Sequence, residues 1–353
     1  MTVDRLPTPS LILEESVFQA NREIMKTLLK NSSVSLRPHY KSHKCAAIAH
    51  MQIQDGAIGM TCAKLEEALD LADSGIEDIL IANQIVDPQK LAVGARLAGD
   101  CRLTVCVDDR ENIIAWEKAA AYAGTTVHCL IEYEIGMQRC GVTEIPEVIA
   151  LAEQILECPH LEFDGIQAYA GHVSHMEHEE DRCRYTAENS RKLRILLKEL
   201  NNADIKVRTV SGGSTGTAAL KAAEGLYTEL QAGSYLFMDA TYQVLGLPFR
   251  NALTVLSTVI SVKNTLLVID AGVKSCGVDQ GMPVPIGVSV GEIVASEEHF
   301  QLHRPDRMFQ IGERIRLIPG HCCSTVNLYD KIYLTNGNKV VDRIEITARG
   351  CCR

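Results

Sequence analysis

The sequence predicts an α/β protein: a (β/α)8 barrel that carries the chemistry, followed by a smaller C-terminal β domain. Three observations lead there. Short apolar or β-branched runs alternate with helical patterns eight times over the first two thirds of the chain. After about residue 246 that rhythm stops, and β-rich segments such as ALTVLSTVISVK, TLLVIDAG, RIRLIPG and KIYLTN follow, separated by turn residues. At 353 residues the chain is also longer than one hydrophobic core usually serves. The expected domains are residues 11–245 for the barrel and residues 246–353, joined by residues 1–10, for the β domain.

The expected barrel strands are, in order, Val34–Lys41, Ala57–Cys62, Asp78–Ala82, Leu103–Val107, Thr126–Glu134, Phe163–Tyr169, Lys206–Ser211 and Glu229–Gly233. A barrel helix can begin near Glu15. Between the strands, AKLEEALDLADS (Ala63–Ser74) and SRKLRILLKEL (Ser190–Leu200) space their apolar residues as amphipathic helices do. There is no internal repeat beyond the βα rhythm and no low-complexity segment.

Composition is that of a soluble globular protein, with 46% hydrophobic and 23% charged residues. A formal net charge of -10 argues against a nucleic-acid partner, though a small anion can still find a local positive site. The 13 cysteines are many, yet the chain is too long to need a disulfide scaffold. Cys106 and Cys129, for example, lie in apolar runs where cysteine behaves as a small hydrophobe. The opening MTVDRLPTPS has no apolar signal core, and no run is apolar enough to span a membrane. A reduced, cytoplasmic protein is expected.

The strongest chemical signal is LRPHYKSHK, residues 36–44. It places Lys41 at the C-terminal end of the first barrel strand, where barrel enzymes keep their chemistry. Desolvation and the nearby Arg37, His39 and Lys44 would lower its pKa and ease condensation with an aldehyde. A basic cluster after a strand is, alone, usually a solvated loop. The far side of the barrel changes that reading. TVSGGSTGT (residues 209–217) follows the seventh strand and QAGSYLF (residues 231–237) follows the eighth. Glycines there let backbone N–H groups approach a phosphate, and barrels often bind phosphate at those two loops.

With those motifs in place, the chain resembles the fold type III pyridoxal 5'-phosphate (PLP) enzymes, specifically the D-threonine aldolase and eukaryotic-type D-serine dehydratase group. RPHYKSHK resembles that family's RPHxKTHK. TCAKLEEA (61–68), EIGMQRCGV (134–142), IQAYAGHVSH (166–175), SGGSTGT (211–217), GSYLFMDATY (233–242), DAGVKSCGVDQGMP (270–283) and PGHCCSTVNLYD (319–330) follow in family order. The resemblance implies an alanine racemase-like fold and PLP carried on Lys41. It places Arg139 and Tyr169 against the PLP ring, and Gly213, Ser214, Thr215, Gly233, Ser234 and Tyr235 around the phosphate. His175 matches a proton-transfer histidine of the aldolase branch. HVSHMEH holds three histidines and could equally be a polar surface loop, and His172 and His178 are weaker matches.

In PGHCCSTVN, His321 and Cys323 stand two apart, so on an extended segment both side chains would face one way. Imidazole and thiolate suit Zn2+. In the resembling family a His-x-Cys or His-x-Asp pair holds a divalent metal beside the PLP. Cys322 competes for the role but would face the opposite side. The resemblance associates His-x-Cys with zinc-dependent dehydratases and His-x-Asp with manganese- or magnesium-dependent aldolases. It therefore favours D-serine dehydration to pyruvate and ammonia. Retro-aldol cleavage of D-threonine is the alternative, to which His175 points. An amino-acid racemase or a non-catalytic PLP carrier would need no metal pair. A homodimer acting on a small D-amino acid is implied by resemblance.

Overall fold

A computed structural model gives the structure of the chain and describes every residue except Met308. Two compact units form. One gathers residues 26–41, 48–233 and 351–353, and the other residues 1–25, 42–47 and 234–350.

The first unit is built on a sheet of eight parallel strands. They are Ser35–Leu36, Met60–Cys62, Asp78–Ile81, Arg102–Val107, Val127–Glu132, Leu161–Ala168, Thr209–Gly212 and Glu229–Leu230. The second to eighth strands are neighbours in chain order, and the eighth pairs with the first. A parallel bridge between His39 and Thr61 then joins the first strand's continuation to the second, closing the ring. The expected strands coincide in position, though several are shorter than their apolar runs. The central strands are buried along their length, with Ile79, Val105, Ile131 and Ile166 fully enclosed. Sheets covered by helices need such continuous apolar strands.

Capping residues set where the helices begin. Asp87 accepts hydrogen bonds from the backbone N–H of Gln89 and Lys90 ahead of helix Pro88–Leu97, and Asp109 does the same for helix Arg110–Ala123. Glu67 accepts from the N–H groups of Ala63 and Lys64, starting helix Leu65–Asp73 at the position its periodicity suggests. The helix expected at Ser190–Leu200 is the second half of a longer one, Glu179–Asn202. Its first half is polar, so hydrophobic spacing shows only where Leu193, Leu196 and Leu200 become buried. No described helix is long and apolar enough to cross a membrane.

The second unit is a nine-stranded sheet. Its backbone is the long strand Leu253–Lys263, whose register shifts between Val259 and Ser261. That irregularity divides its partners: the first half pairs with Ser10–Glu14 and Arg314–Ile318, the second with Leu266–Ile269. Ser10–Glu14 also runs parallel to Lys331–Asn336. The chain start therefore contributes more to this unit than the ten residues expected. Leu11, Ile12 and Leu13 are fully buried in its sheet. Helix Glu15–Leu29 begins where expected, but Asn21 donates to the carbonyls of Leu236 and Arg250, so its first part also belongs here. Residues 234–245 pack with this unit as well.

Candidate active site

In the barrel unit, the loops after six strands enclose a cavity of about 200 Å³ lined by His39, Lys41, Ala63, Ala82, Asn83, Arg139, Cys140, Gln167, Tyr169 and Gln231. Lys41 sits on a single turn of 3-10 helix, Tyr40–Ser42, rather than on the strand. The turn is held because the buried Tyr40 hydroxyl donates to Asp70 and the Lys41 backbone N–H donates to His39 Nδ1. Lys41 Nζ lies 5.8 Å from the centre of the Tyr169 ring, and the Arg139 guanidinium lies 5.8 Å from the same centre. The structure thus brings together an amine, an aromatic face and a guanidinium that the sequence placed 128 residues apart at the extremes.

Arg37 does not stand beside Lys41 as a free cation, as the sequence suggested. It is buried against Glu229 at 2.9 Å and Asp78 at 2.7 Å, both at the starts of their strands. Its charge is spent at the opposite end of the barrel. Lys44 belongs to the strand-rich unit, where its carbonyl accepts from Ala348. Glu132 lies behind Arg139, 3.9 Å from its guanidinium, and accepts a 2.6 Å hydrogen bond from Gln84. Burial pushes its carboxyl upward, while Gln84 and Arg139 pull it down. Gln231 donates to Gln167 at 2.7 Å and to Ser211 at 2.8 Å, fixing a polar floor.

The glycine-rich loop after the seventh strand is tightly determined. Gly213 has φ +73°, and a Cβ there would meet Leu230 at 2.8 Å. A Cβ on Gly216 would strike the Ser174 carbonyl oxygen at 2.1 Å. Ser214 and Thr217 hold each other through their hydroxyls at 3.0 Å. Such a cradle, with buried hydroxyls and no room for side chains, fits a phosphate, and with the amine and aromatic face it fits PLP. Gly233 closes the barrel unit, whereas Ser234 and Tyr235 lie in the strand-rich unit. There Tyr235 packs its ring 5.7 Å from Phe249, and the Ser234 hydroxyl lies 3.7 Å from the Cys323 sulfur.

His175 is the residue closing the short helix Gly171–Ser174 and is not among those lining the barrel cavity. His172 is half-buried in the same helix, and burial lowers its pKa. His178 is exposed.

In the strand-rich unit, His321 is extended, but Cys322–Val326 is a short helix with His321 as its N-cap. The expected extended His-x-Cys segment is therefore not what pairs the two side chains. The turn into the helix brings them close enough for each to shift the other's proton affinity. The Cys322 sulfur is 3.9 Å from Cys323, but it is fully buried, and Cys322 N–H donates to Asp239 at 2.9 Å. Cys323 instead meets the hydroxyls of Ser42 at 3.5 Å and Ser234 at 3.7 Å. Hydrogen bonding from Cys322 holds the Cys323 thiol well below its ordinary range; burial opposes this, and His321 and Ser42 reinforce it. Burial lowers the His321 pKa, but Cys323 and Asp279 win and raise it to about 9. A low-pKa thiol next to an imidazole is a donor set that fits Zn2+.

Sequence reasoning assigned no role to Asp279, which accepts from His321 Nδ1 at 2.7 Å, or to Asp239. Both lie in segments that carry the resemblance, GVDQGMP and FMDATY; that was the only available signal.

Another group of potential ligand atoms, His128, Glu162 and Asp164, lies at the beginnings of barrel strands. Arg102 and Arg208 already occupy its carboxylates. Burial raises the Asp164 pKa, but His128 and the two arginines bring it below the usual carboxylate range. This is an ion-pair network at the structural end of the barrel.

Residues 14–241 match the family described as "Alanine racemase, N-terminal domain", and residues 252–335 match "Putative serine dehydratase domain". The chain belongs to the fold type III PLP enzymes. Within them it is a PLP-dependent lyase. It is 39% identical to the D-threonine aldolase of Arthrobacter sp over 99% of this chain and 94% of that one. It is 34% identical to the 3-hydroxy-D-aspartate aldolase of Paracoccus denitrificans (strain Pd 1222), again over 99% and 94%. The crystal structure of D-threonine aldolase from Filomicrobium marinum superposes with a TM-score of 0.96 at 35% identity, covering 100% of this chain and 98% of that one.

Membership makes the glycine loop testable. Gly213→Val forces a branched side chain onto a left-handed backbone and into Leu230, a strain of about 1–3 kcal/mol. PLP affinity, followed by absorbance titration, is expected to fall ~10-fold or more. Unchanged affinity would remove Gly213 from the phosphate site.

Proposed function

We propose that this lyase cleaves β-hydroxy D-amino acids by a retro-aldol reaction, with PLP on Lys41 and a divalent metal on His321 and Cys323. The observation that carries the reading is the likeness to two aldolases along essentially the whole chain. The barrel mouth supports it with the grouping of Lys41, Arg139 and Tyr169.

Bound PLP would supply an electron sink for the charge left at Cα, and the metal a Lewis acid for the β-oxygen. Lys41 would hold the cofactor through its Nζ, with Tyr169 against the ring. Arg139, backed by Glu132, would donate to the ring's polar groups. Gly213, Ser214, Thr215 and Gly233, with Ser234 and Tyr235, would hold the phosphate. His175 would accept the β-hydroxyl proton while the Cα–Cβ bond breaks, so that the β-carbon leaves as an aldehyde and its bonding electrons stay at Cα. Two protein ligands leave open metal positions for substrate oxygens, as catalysis requires. The resemblance further implies a homodimer.

Cys323 favours a second reading. The same resemblance associates His-x-Cys with zinc-dependent dehydration, so D-serine going to pyruvate and ammonia is the competing reaction.

The test of the first reading is acetaldehyde release from D-threonine but not from L-threonine. Activity should disappear after chelation and return with zinc better than with magnesium, because thiolate disfavours the harder ion. Absence of acetaldehyde from the metal-loaded enzyme would overturn it.

A further inference from the structure

We infer that Asp279 is a positioning residue for the metal: it fixes the His321 ring so that Nε2 is the coordinating atom, and Ser324 in turn fixes Asp279. The inference deepens the metal assignment proposed above and rests on it. His321 Nδ1 lies 2.7 Å from Asp279 Oδ2. An ionised carboxylate only accepts hydrogen bonds, so the proton of that pair sits on Nδ1. Nε2 is then the nitrogen that releases its own proton when a metal takes its lone pair. The other carboxylate oxygen, Oδ1, accepts a 2.5 Å hydrogen bond from the Ser324 hydroxyl. Asp279 is therefore held at both oxygens, one by the proposed ligand and one by a residue of the same short helix.

The backbone supports the same arrangement. The His321 carbonyl accepts from the Thr325 hydroxyl at 2.7 Å, and Thr325 Oγ1 accepts from the Gly277 N–H at 2.9 Å. That links the loop bearing Asp279 to the helix bearing Cys323 through two short bonds. Gly277 cannot be larger: a Cβ there would lie 2.0 Å from the Ser324 hydroxyl oxygen. Carboxylates behind metal-binding histidines orient the ring and raise its donor strength, and losing one typically weakens metal binding 10- to 100-fold.

Asp279 has a half-exposed side chain, so replacing it should leave the fold intact. The experiment is zinc affinity by chelator competition on the PLP-loaded protein, with the visible spectrum of the cobalt-substituted enzyme as a report on ligand geometry. Asp279→Ala is expected to bind zinc about 10- to 100-fold more weakly and to shift the cobalt spectrum, with thermal stability of the metal-free protein unchanged. Asp279→Asn, whose amide oxygen can still accept from Nδ1, should fall between Asp279→Ala and the parent. His321→Ala is the control for the underlying assignment. If His321→Ala abolishes zinc binding but Asp279→Ala keeps the parental affinity and spectrum, Asp279 does not position the ligand. If His321→Ala binds zinc like the parent, the metal assignment itself fails.

Discussion

Borohydride reduction of the PLP-loaded protein is expected to fix the cofactor on Lys41, and Lys41→Ala to lower turnover on the order of 10³-fold or more. Lys41 is the lysine that lines the barrel cavity, on a turn held by Tyr40 and Asp70 and facing Tyr169. Lys44, three residues on, is buried and is not among the residues lining this cavity. The Lys41→Ala protein should still take up PLP, more weakly, because the glycine loop provides contacts that do not involve the amine. Peptide mapping after reduction reads the first claim directly, and a label on Lys44 would refute it. Full loss of PLP binding in Lys41→Ala would show that the loop contributes little.

The second large effect is expected at Cys323. Cys323→Ala should remove the metal and lower activity on the order of 10³-fold, while the PLP absorbance stays as in the parent. Cys322→Ala should keep the metal and most activity and cost about 1 kcal/mol of stability, the usual consequence of emptying a small buried site. The two neighbouring thiols differ in surroundings. Cys323 faces His321 and two serine hydroxyls, whereas Cys322 is enclosed and its backbone is tied to Asp239. Metal content by elemental analysis together with turnover separates the cases. Equal metal loss in both variants would mean that the ligand was misassigned.

The parts of this protein legible in its sequence are those fixed by local pattern. The eight barrel strands announce themselves because most are buried on both faces and bounded by turn residues, and helix starts are marked by Asp87, Asp109 and Glu67. What the sequence did not disclose depends on distant pairings. Arg37 looked like part of a cationic cluster with Lys41, since Glu229, which neutralises it, lies 192 residues away. Ser10–Glu14 reads as a strand in isolation, but only its pairing with Leu253–Leu256 assigns it to the second unit. The His-x-Cys pair was recognised on the premise of an extended segment, while a helix begins between the two residues. Asp279 could not be linked to His321 from spacing alone, because they stand 42 positions apart with four strands among the described residues between them.

Retro-aldol cleavage is the central claim, and product analysis with D-threonine tests it most directly. The PLP- and zinc-loaded enzyme is incubated with D-threonine, and products are quantified by NMR. Cleavage predicts glycine and acetaldehyde in equal amounts, with the β-carbon recovered in the aldehyde. Recovery of 2-oxobutyrate and ammonia in their place would contradict the account and make this chain a dehydratase on an aldolase-like framework.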